Sequence, residues 1–244
     1  MTIFSIRPRN LKHFNRMAMK LYISGYGKMG RMIEKIILSR GLDYAGWTEA
    51  VTETDPALAK ECVCIDFTTP AAFRENYKFL AENFKAVVVG TTGWADIRAE
   101  VVGYFEKCGT PMIWASNFSI GVNVFFAVTD YVSRMLGMTG GYSPYMLEMH
   151  HCHKLDAPSG TARSLADIVD ANMNVETDIQ SVRCGEIPGI HTVGFEGLND
   201  RITMTHEAFS REGFAAGAVE AALMTENVSG VCEFKDMLLQ NKDR

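Results

Sequence analysis

A short apolar segment, Lys20-Leu-Tyr-Ile-Ser24, runs straight into Gly25-Tyr26-Gly27-Lys28-Met29-Gly30. Met29, Met32, Ile33, Ile36 and Ile37 then recur at helical spacing up to Gly41. This strand, glycine loop and helix constrain the fold more than any other feature of the chain. Glycines at these positions allow a tight turn and let a backbone approach a pyrophosphate, while the helix N-terminus turns unpaired N–H groups towards it. A lone G-x-G-x-x-G is a weak signal, but here the flanking strand and helix that the motif requires are both present. Glu49 follows Gly30 by 19 positions, close to where an acid would meet the ribose hydroxyls. Asp43, at the start of the same strand, is poorly placed for that role.

The alternation continues. Expected strands at 44–47, 62–67, 85–90 and 111–115 are separated by helices, one opening at Thr69-Pro70 with Thr69 as its cap and another over about 95–107. Such alternation implies a parallel sheet with right-handed crossovers. The segments Asp66-Phe-Thr-Thr-Pro70, Gly90-Thr91-Thr92-Gly93 and Ala115-Ser116-Asn117-Phe118 all fall at the C-terminal ends of successive strands, the edge where open parallel sheets bind ligands. Their small hydroxyl residues and free backbone groups suit a nicotinamide carboxamide. After Asn117 the pattern changes. A long helix is expected at 121–136, a strand at 145–150 and a helix at 161–171, then strands at 179–184, 191–195 and 201–206 and a late helix at 214–224. This predicts a second, α+β unit around a mixed or antiparallel sheet, with helices on one face and another subunit on the other.

With 244 residues, 47% of them hydrophobic, the chain can bury the core of one large domain or two small ones. A net charge of −5 removes the electrostatic case for nucleic acid as the main partner, and no run of about 18 apolar residues suggests a membrane span. Cys62, Cys64, Cys108, Cys152, Cys184 and Cys232 form no C-x-x-C pair, which fits reduced thiols in a cytoplasmic protein. Residues 1–18 carry Arg7, Arg9, Lys12 and Arg16 and no acid, and read as a disordered extension before a domain that starts near Met19.

The densest chemistry lies in Glu148-Met-His150-His151-Cys152-His153-Lys154-Leu-Asp156-Ala-Pro-Ser159-Gly160-Thr161-Ala162. Three readings compete. The histidines with Cys152 could hold a metal, although Lys154 adds repulsion and no second ligand group of matching spacing follows. They could be ordinary polar surface. Or they could form an anion and proton-transfer site: histidine titrates near neutrality, Lys154 supplies fixed charge, and Ser159-Gly160-Thr161 opens a helix whose free N–H groups can grip a carboxylate. The third reading is favoured because its parts support one another.

This run, Glu148-x-His150-His151-x-His153-Lys154-x-Asp156-Ala-Pro-Ser-Gly-Thr161-Ala162, resembles the 4-hydroxy-tetrahydrodipicolinate reductase (dihydrodipicolinate reductase) family of bacterial lysine biosynthesis. Further matches are Gly27-Lys-Met-Gly30, Asp66-Phe-Thr, Gly90-Thr-Thr-Gly93, Asn117-Phe-Ser-x-Gly121-Val-Asn123, Arg183-x-Gly185, Gly189-x-His191-Thr192 and Arg211-x-x-Phe214-Ala-x-Gly217-Ala218, so the resemblance runs from about Lys20 to the C-terminus. It implies a Rossmann-type dinucleotide-binding domain (19–118 and 211–244) and a substrate-binding domain (119–210) that assembles a homotetramer through its sheet. It implies hydride transfer from NADH or NADPH to a cyclic dicarboxylate, with loss of water. His150 then resembles the proton donor and Lys154 its catalytic partner; His151, Ser159, Gly160 and Thr161 would hold substrate. Gly25 to Gly30, Gly90, Thr91, Thr92, Ala115, Ser116, Asn117, Phe118 and Arg211 would hold cofactor. Two departures stand out. Many relatives carry Arg where this chain has Cys152, and many follow the acid of the second strand with Arg where this chain has Ala50. Glu49 repels a 2′-phosphate and Ala50 cannot bind one, so NADH is the expected preference, although Lys28 or Arg31 could still reach that phosphate.

Overall fold

The computed structural model describes residues 19–239; the expected extension at 1–18 lies outside the described residues. From the N-terminal end the chain forms β1 (Lys20–Ser24), α1 (Lys28–Ser39), β2 (Tyr44–Thr48), α2 (Pro56–Ala59), β3 (Cys62–Asp66), α3 (Pro70–Asn83), β4 (Ala86–Val89), α4 (Arg98–Cys108) and β5 (Met112–Trp114). Continuous apolar sequence makes β1, β3 and β4 buried strands, as a sheet covered on both faces requires. Phe73, Tyr77, Leu80, Trp94 and Phe105 pack with Val87, Val89 and Met112 into one core cluster. Each such side chain taken from water contributes about 1.5–3 kcal/mol.

The chain continues through α5 (Ile120–Thr139), β6 (Ser143–His150), α6 (Gly160–Met173), β7 (Ile179–Arg183), β8 (Ile190–Glu196), β9 (Arg201–Glu207), α7 (Glu212–Met224), β10 (Val231–Glu233) and α8 (Phe234–Leu239). The segment 95–97, expected as the start of a helix, is a separate 3-10 turn before α4, and α5 extends three residues beyond the expected end to Thr139. β10 and α8 were not expected: three and six residues are too few to display a period.

Two sheets result. The first has the order β10-β5-β4-β3-β1-β2, and β1 to β5 pair in parallel. Strand order reverses at β1, which lies between β2 and β3, so the ligand-binding switch point falls where β1 and β3 end, beside the glycine loop. The second sheet has the order β7-β6-β8-β9 and is mixed: β6 pairs with β7 in parallel and with β8 antiparallel, and β8 with β9 antiparallel. Its inner face meets α5 and α6 in a core of Phe125, Met146, Leu165, Val169, Val193 and Phe195. Backbone contacts separate the described residues into two compact units, one of 19–116 with 218–232 and one of 117–217 with 233 onward.

Candidate active site

The glycine loop has the features a dinucleotide needs. Gly25 adopts φ +91°, and a Cβ there would strike the Phe67 carbonyl; a Cβ on Gly30 would strike the carbonyl of Gly25. A Cβ on Gly27 would meet nothing within 4 Å, so the outer side of the loop is open. Gly27 is also the N-cap of α1 and offers no side chain to its N–H groups, whereas α3, α5 and α6 are capped by Thr69, Ser119 and Ser159. An uncapped helix start with no acid in its first turn and Lys28 at its first position fits an anionic pyrophosphate. Tyr26 stacks on Trp47 of β2 at 3.9 Å, donates to Glu34, and has Arg31 5.6 Å above its ring. The loop is thereby fixed to the strand that ends just before Glu49, which is exposed.

The sequence assigns no role to Asp66. Asp66 ends β3, fully buried, and its carboxylate accepts from Ser24 Oγ (2.8 Å), Thr68 Oγ1 (3.0 Å) and Thr91 Oγ1 (2.6 Å). Burial raises its pKa, against the hydroxyls that favour the anion. One carboxylate thus ties together the ends of β1, β3 and β4. Thr91, expected at the cofactor, turns its hydroxyl inward to this strut, while Thr92 is exposed. Ala115 is buried and Ser116 exposed. Asn117, Phe118 and Arg211 belong to the second unit. There Asn117 Oδ1 accepts from Ser119 N at 2.8 Å, Phe118 packs on Phe234 at 5.1 Å, and Arg211 is exposed.

In the second unit the histidine run splits by direction. Strand alternation in β6 sends Met146, Glu148 and His150 inward, and the register sets Glu148 opposite His191 on β8. Glu148 is fully buried and accepts from His150 Nδ1, Arg183 Nη2 (2.6 Å) and the Ser159 amide (3.3 Å). Burial pushes its pKa up, but the hydrogen bonds from Arg183, Ser181 and His150 prevail and hold it at about 2. A carboxylate so held only accepts, so Nδ1 of His150 carries hydrogen and Nε2 is left as the atom for exchange. Burial lowers the pKa of His150, with Lys154 and Arg183 acting the same way and Glu148 opposing. His191 packs edge-on to His150 at 5.1 Å, and its Nε2 lies 3.1 Å from Ser159 Oγ. Ser159, expected to bind substrate, uses its hydroxyl on His191 and as the cap of Ala162 N (3.2 Å). Gly160 and Thr161 begin α6, so their N–H groups have no partner within the helix. His151 is half-buried, and its Nδ1 is shut from solvent with no hydrogen bond. Lys154 is half-buried and paired with Asp156 at 2.7 Å.

His150, His151 and His153 therefore do not converge as a metal reading requires. Glu148, His150 and His191 could offer three ligand atoms, but the same carboxylate already receives a guanidinium and an amide. The sequence alone assigns no role to Glu148, Arg183 or His191. The detectable signal was parity: a glutamate two residues before a histidine on one strand shares its face.

Burial holds His191 well below its usual 6.5, at about 4, with the neighbouring charge of His150 adding to the effect. A depressed folded pKa contributes stability that is present above 6.5 and lost as pH falls through about 4. At about 1.4 kcal/mol per unit the loss is roughly 3 kcal/mol. The urea midpoint should fall over this pH range, and His191→Gln should flatten the dependence; an unchanged slope in that variant contradicts the assignment.

Residues 19–118 match the family described as "Dihydrodipicolinate reductase, N-terminus", and residues 121–238 match its C-terminus. The 4-hydroxy-tetrahydrodipicolinate reductase of Christiangramia forsetii is 37% identical over 233 residues, covering 90% of this chain and 98% of that protein. The protein of the same name from Archaeoglobus fulgidus is 36% identical over 243 residues, covering 84% and 93%. Among solved structures, the dipicolinate-bound dihydrodipicolinate reductase from Paenisporosarcina sp. TG-14 has the same fold, with a TM-score of 0.76, 20% identity and coverage of 91% and 100%.

Proposed function

The chain belongs to the dihydrodipicolinate reductase family, and from that premise we propose that it reduces 4-hydroxy-tetrahydrodipicolinate to tetrahydrodipicolinate, with loss of water, in diaminopimelate and lysine biosynthesis. The observation that carries the reading is the buried Glu148–His150 pair braced by Arg183 in the same turn region as Lys154, His151 and the open start of α6. We assign dinucleotide binding to 19–118 with 211–244 and substrate binding to 119–210. Gly25, Tyr26, Gly27, Lys28, Met29 and Gly30 hold the pyrophosphate end of NADH or NADPH, with Gly90, Thr91, Thr92, Ala115, Ser116, Asn117, Phe118 and Arg211 completing the cofactor contacts.

When bound, the dinucleotide supplies a hydride for the substrate ring. The chain's own residues do the rest. Lys154 and the N–H groups of Gly160 and Thr161 bind carboxylates, and His151 adds a ring nitrogen. His150 delivers a proton from Nε2 as electrons accumulate on the conjugated ring. Glu148 fixes the ring and steadies its imidazolium form, and Lys154 offsets the developing negative charge.

Because His150 has a lowered pKa in the free protein, its acid form is lost as pH rises through a value below 6.5. A bound dianion raises that pKa. kcat/KM, which reports the free protein, should therefore decline at lower pH than kcat, which reports the complex. Rate profiles over pH check this; kcat/KM that climbs with pH across the same range contradicts it.

Glu49 sets the cofactor choice. It is exposed just past β2, and Ala50 beside it carries no charge, so we propose that NADH is preferred to NADPH. Oxidation of each, followed separately with substrate made in place by a coupled synthase, tests the reaction and the preference together. Faster NADH turnover that narrows in Glu49→Ala is expected; oxidation of neither overturns the function. We also propose a cytoplasmic homotetramer. Its support is a sequence without any C-x-x-C pair and an outer face of the second sheet on which Tyr145, Leu147 and Met149 are half-buried.

A further inference from the structure

Cys152, His153 and Glu186 form a second cluster, outside the machinery assigned above. Cys152 and His153 occupy the turn after β6, and Glu186 the turn after β7. Cys152 N donates to Gly185 O at 3.1 Å and Cys184 N to His150 O at 3.0 Å, so backbone bonds hold the two turns side by side. The Sγ of Cys152 lies 3.6 Å from Nε2 of His153, and that nitrogen lies 3.3 Å from Oε1 of Glu186. All three ligand atoms fall within 4.8 Å of one another. A tetrahedral ion with bonds of about 2.3 Å to sulfur and about 2.0 Å to nitrogen and oxygen sets S···N edges near about 3.5 Å and N···O edges near about 3.3 Å. The two edges seen here match those spacings. Nε2 has a single hydrogen or a single lone pair, yet both a thiol and a carboxylate face it.

We propose that Cys152, His153 and Glu186 bind a zinc-class divalent cation, with water in the fourth position. Mixed sulfur, nitrogen and oxygen ligands select zinc or cobalt over magnesium and calcium. Thiolate and carboxylate together balance the charge of the ion. Binding breaks the S–H bond of Cys152, releases that proton to solvent and forms a sulfur–metal bond, without redox change. His153 and Glu186 are mostly exposed, so water reaches the open vertex.

The test is a Co2+ titration of the reduced, metal-free full chain, read by absorbance. One equivalent should produce a thiolate-to-cobalt charge-transfer band in the near ultraviolet and the visible bands of tetrahedral cobalt, and Zn2+ should displace both. Cys152→Ser should abolish the charge-transfer band. Glu186→Gln should keep it while weakening affinity, because a neutral amide oxygen replaces an anionic ligand. Cys184→Ser, at an exposed thiol in the neighbouring turn, should leave it intact. No saturable band, a band that survives Cys152→Ser, or one lost in Cys184→Ser would overturn the site. None of these readings depends on reductase activity.

Discussion

His150→Gln is expected to lower turnover by about 10²–10⁴-fold, the usual contribution of one well-placed general acid, and to leave dinucleotide affinity unchanged. Glutamine keeps an N–H that can donate to Glu148 and fills a similar space, so the buried carboxylate retains a partner and the unit stays folded. What it cannot do is carry a proton to the reacting ring. Glu148→Gln separates holding from donating. It removes the negative charge that orients His150 and pairs with the Arg183 guanidinium at 2.6 Å, so turnover falls although the acid is still present. Steady-state kinetics with a direct cofactor titration check both variants. Near-normal turnover in His150→Gln would remove the proton-donor assignment.

Lys154→Ala is expected to injure substrate affinity and turnover together. A hydrogen bond to a charged group contributes about 1.5–3 kcal/mol, which corresponds to about 10–150-fold in kcat/KM. Lys154 is held at 2.7 Å from Asp156, so its ammonium already sits in a defined place before substrate arrives, and little ordering remains to be done. Removing it takes away a contact made to the bound carboxylate and strengthened as charge develops, so KM rises and kcat falls. Lys154→Arg should recover part of the affinity, because the charge returns, and less of the turnover, because the planar fork does not reproduce a point charge. A loss confined to kcat, with KM untouched, would contradict the substrate-anchoring role.

The sequence carried the five parallel strands of the first sheet and the position of the glycine loop because those depend on local periodicity. Apolar runs and the Gly25, Gly27, Gly30 spacing are visible within a dozen residues. The histidine cluster was equally visible as composition, but the direction of each side chain was not. Glu148 meets Arg183 across 35 positions and His191 across the β6–β8 register. Such contacts follow from which strands pair, and that is a property of the whole sheet. Asp66 escaped for the same reason: its three hydroxyl partners come from the ends of different strands. Ser159 and Thr91 show the converse. Their hydroxyls look available in sequence, yet folding commits them to a helix cap and to a buried carboxylate.

The proposed reaction passes hydride from a nicotinamide to the ring of a dicarboxylate while the chain holds both. Its most direct test supplies NADH carrying two deuterium atoms at C4, with substrate generated by a coupled synthase, and weighs the product by mass spectrometry. Tetrahydrodipicolinate bearing one deuterium is expected, formed in step with NADH oxidation and far more slowly in His150→Gln. Cofactor oxidation that leaves the product unlabelled, or no reduced dicarboxylate at all, would contradict it.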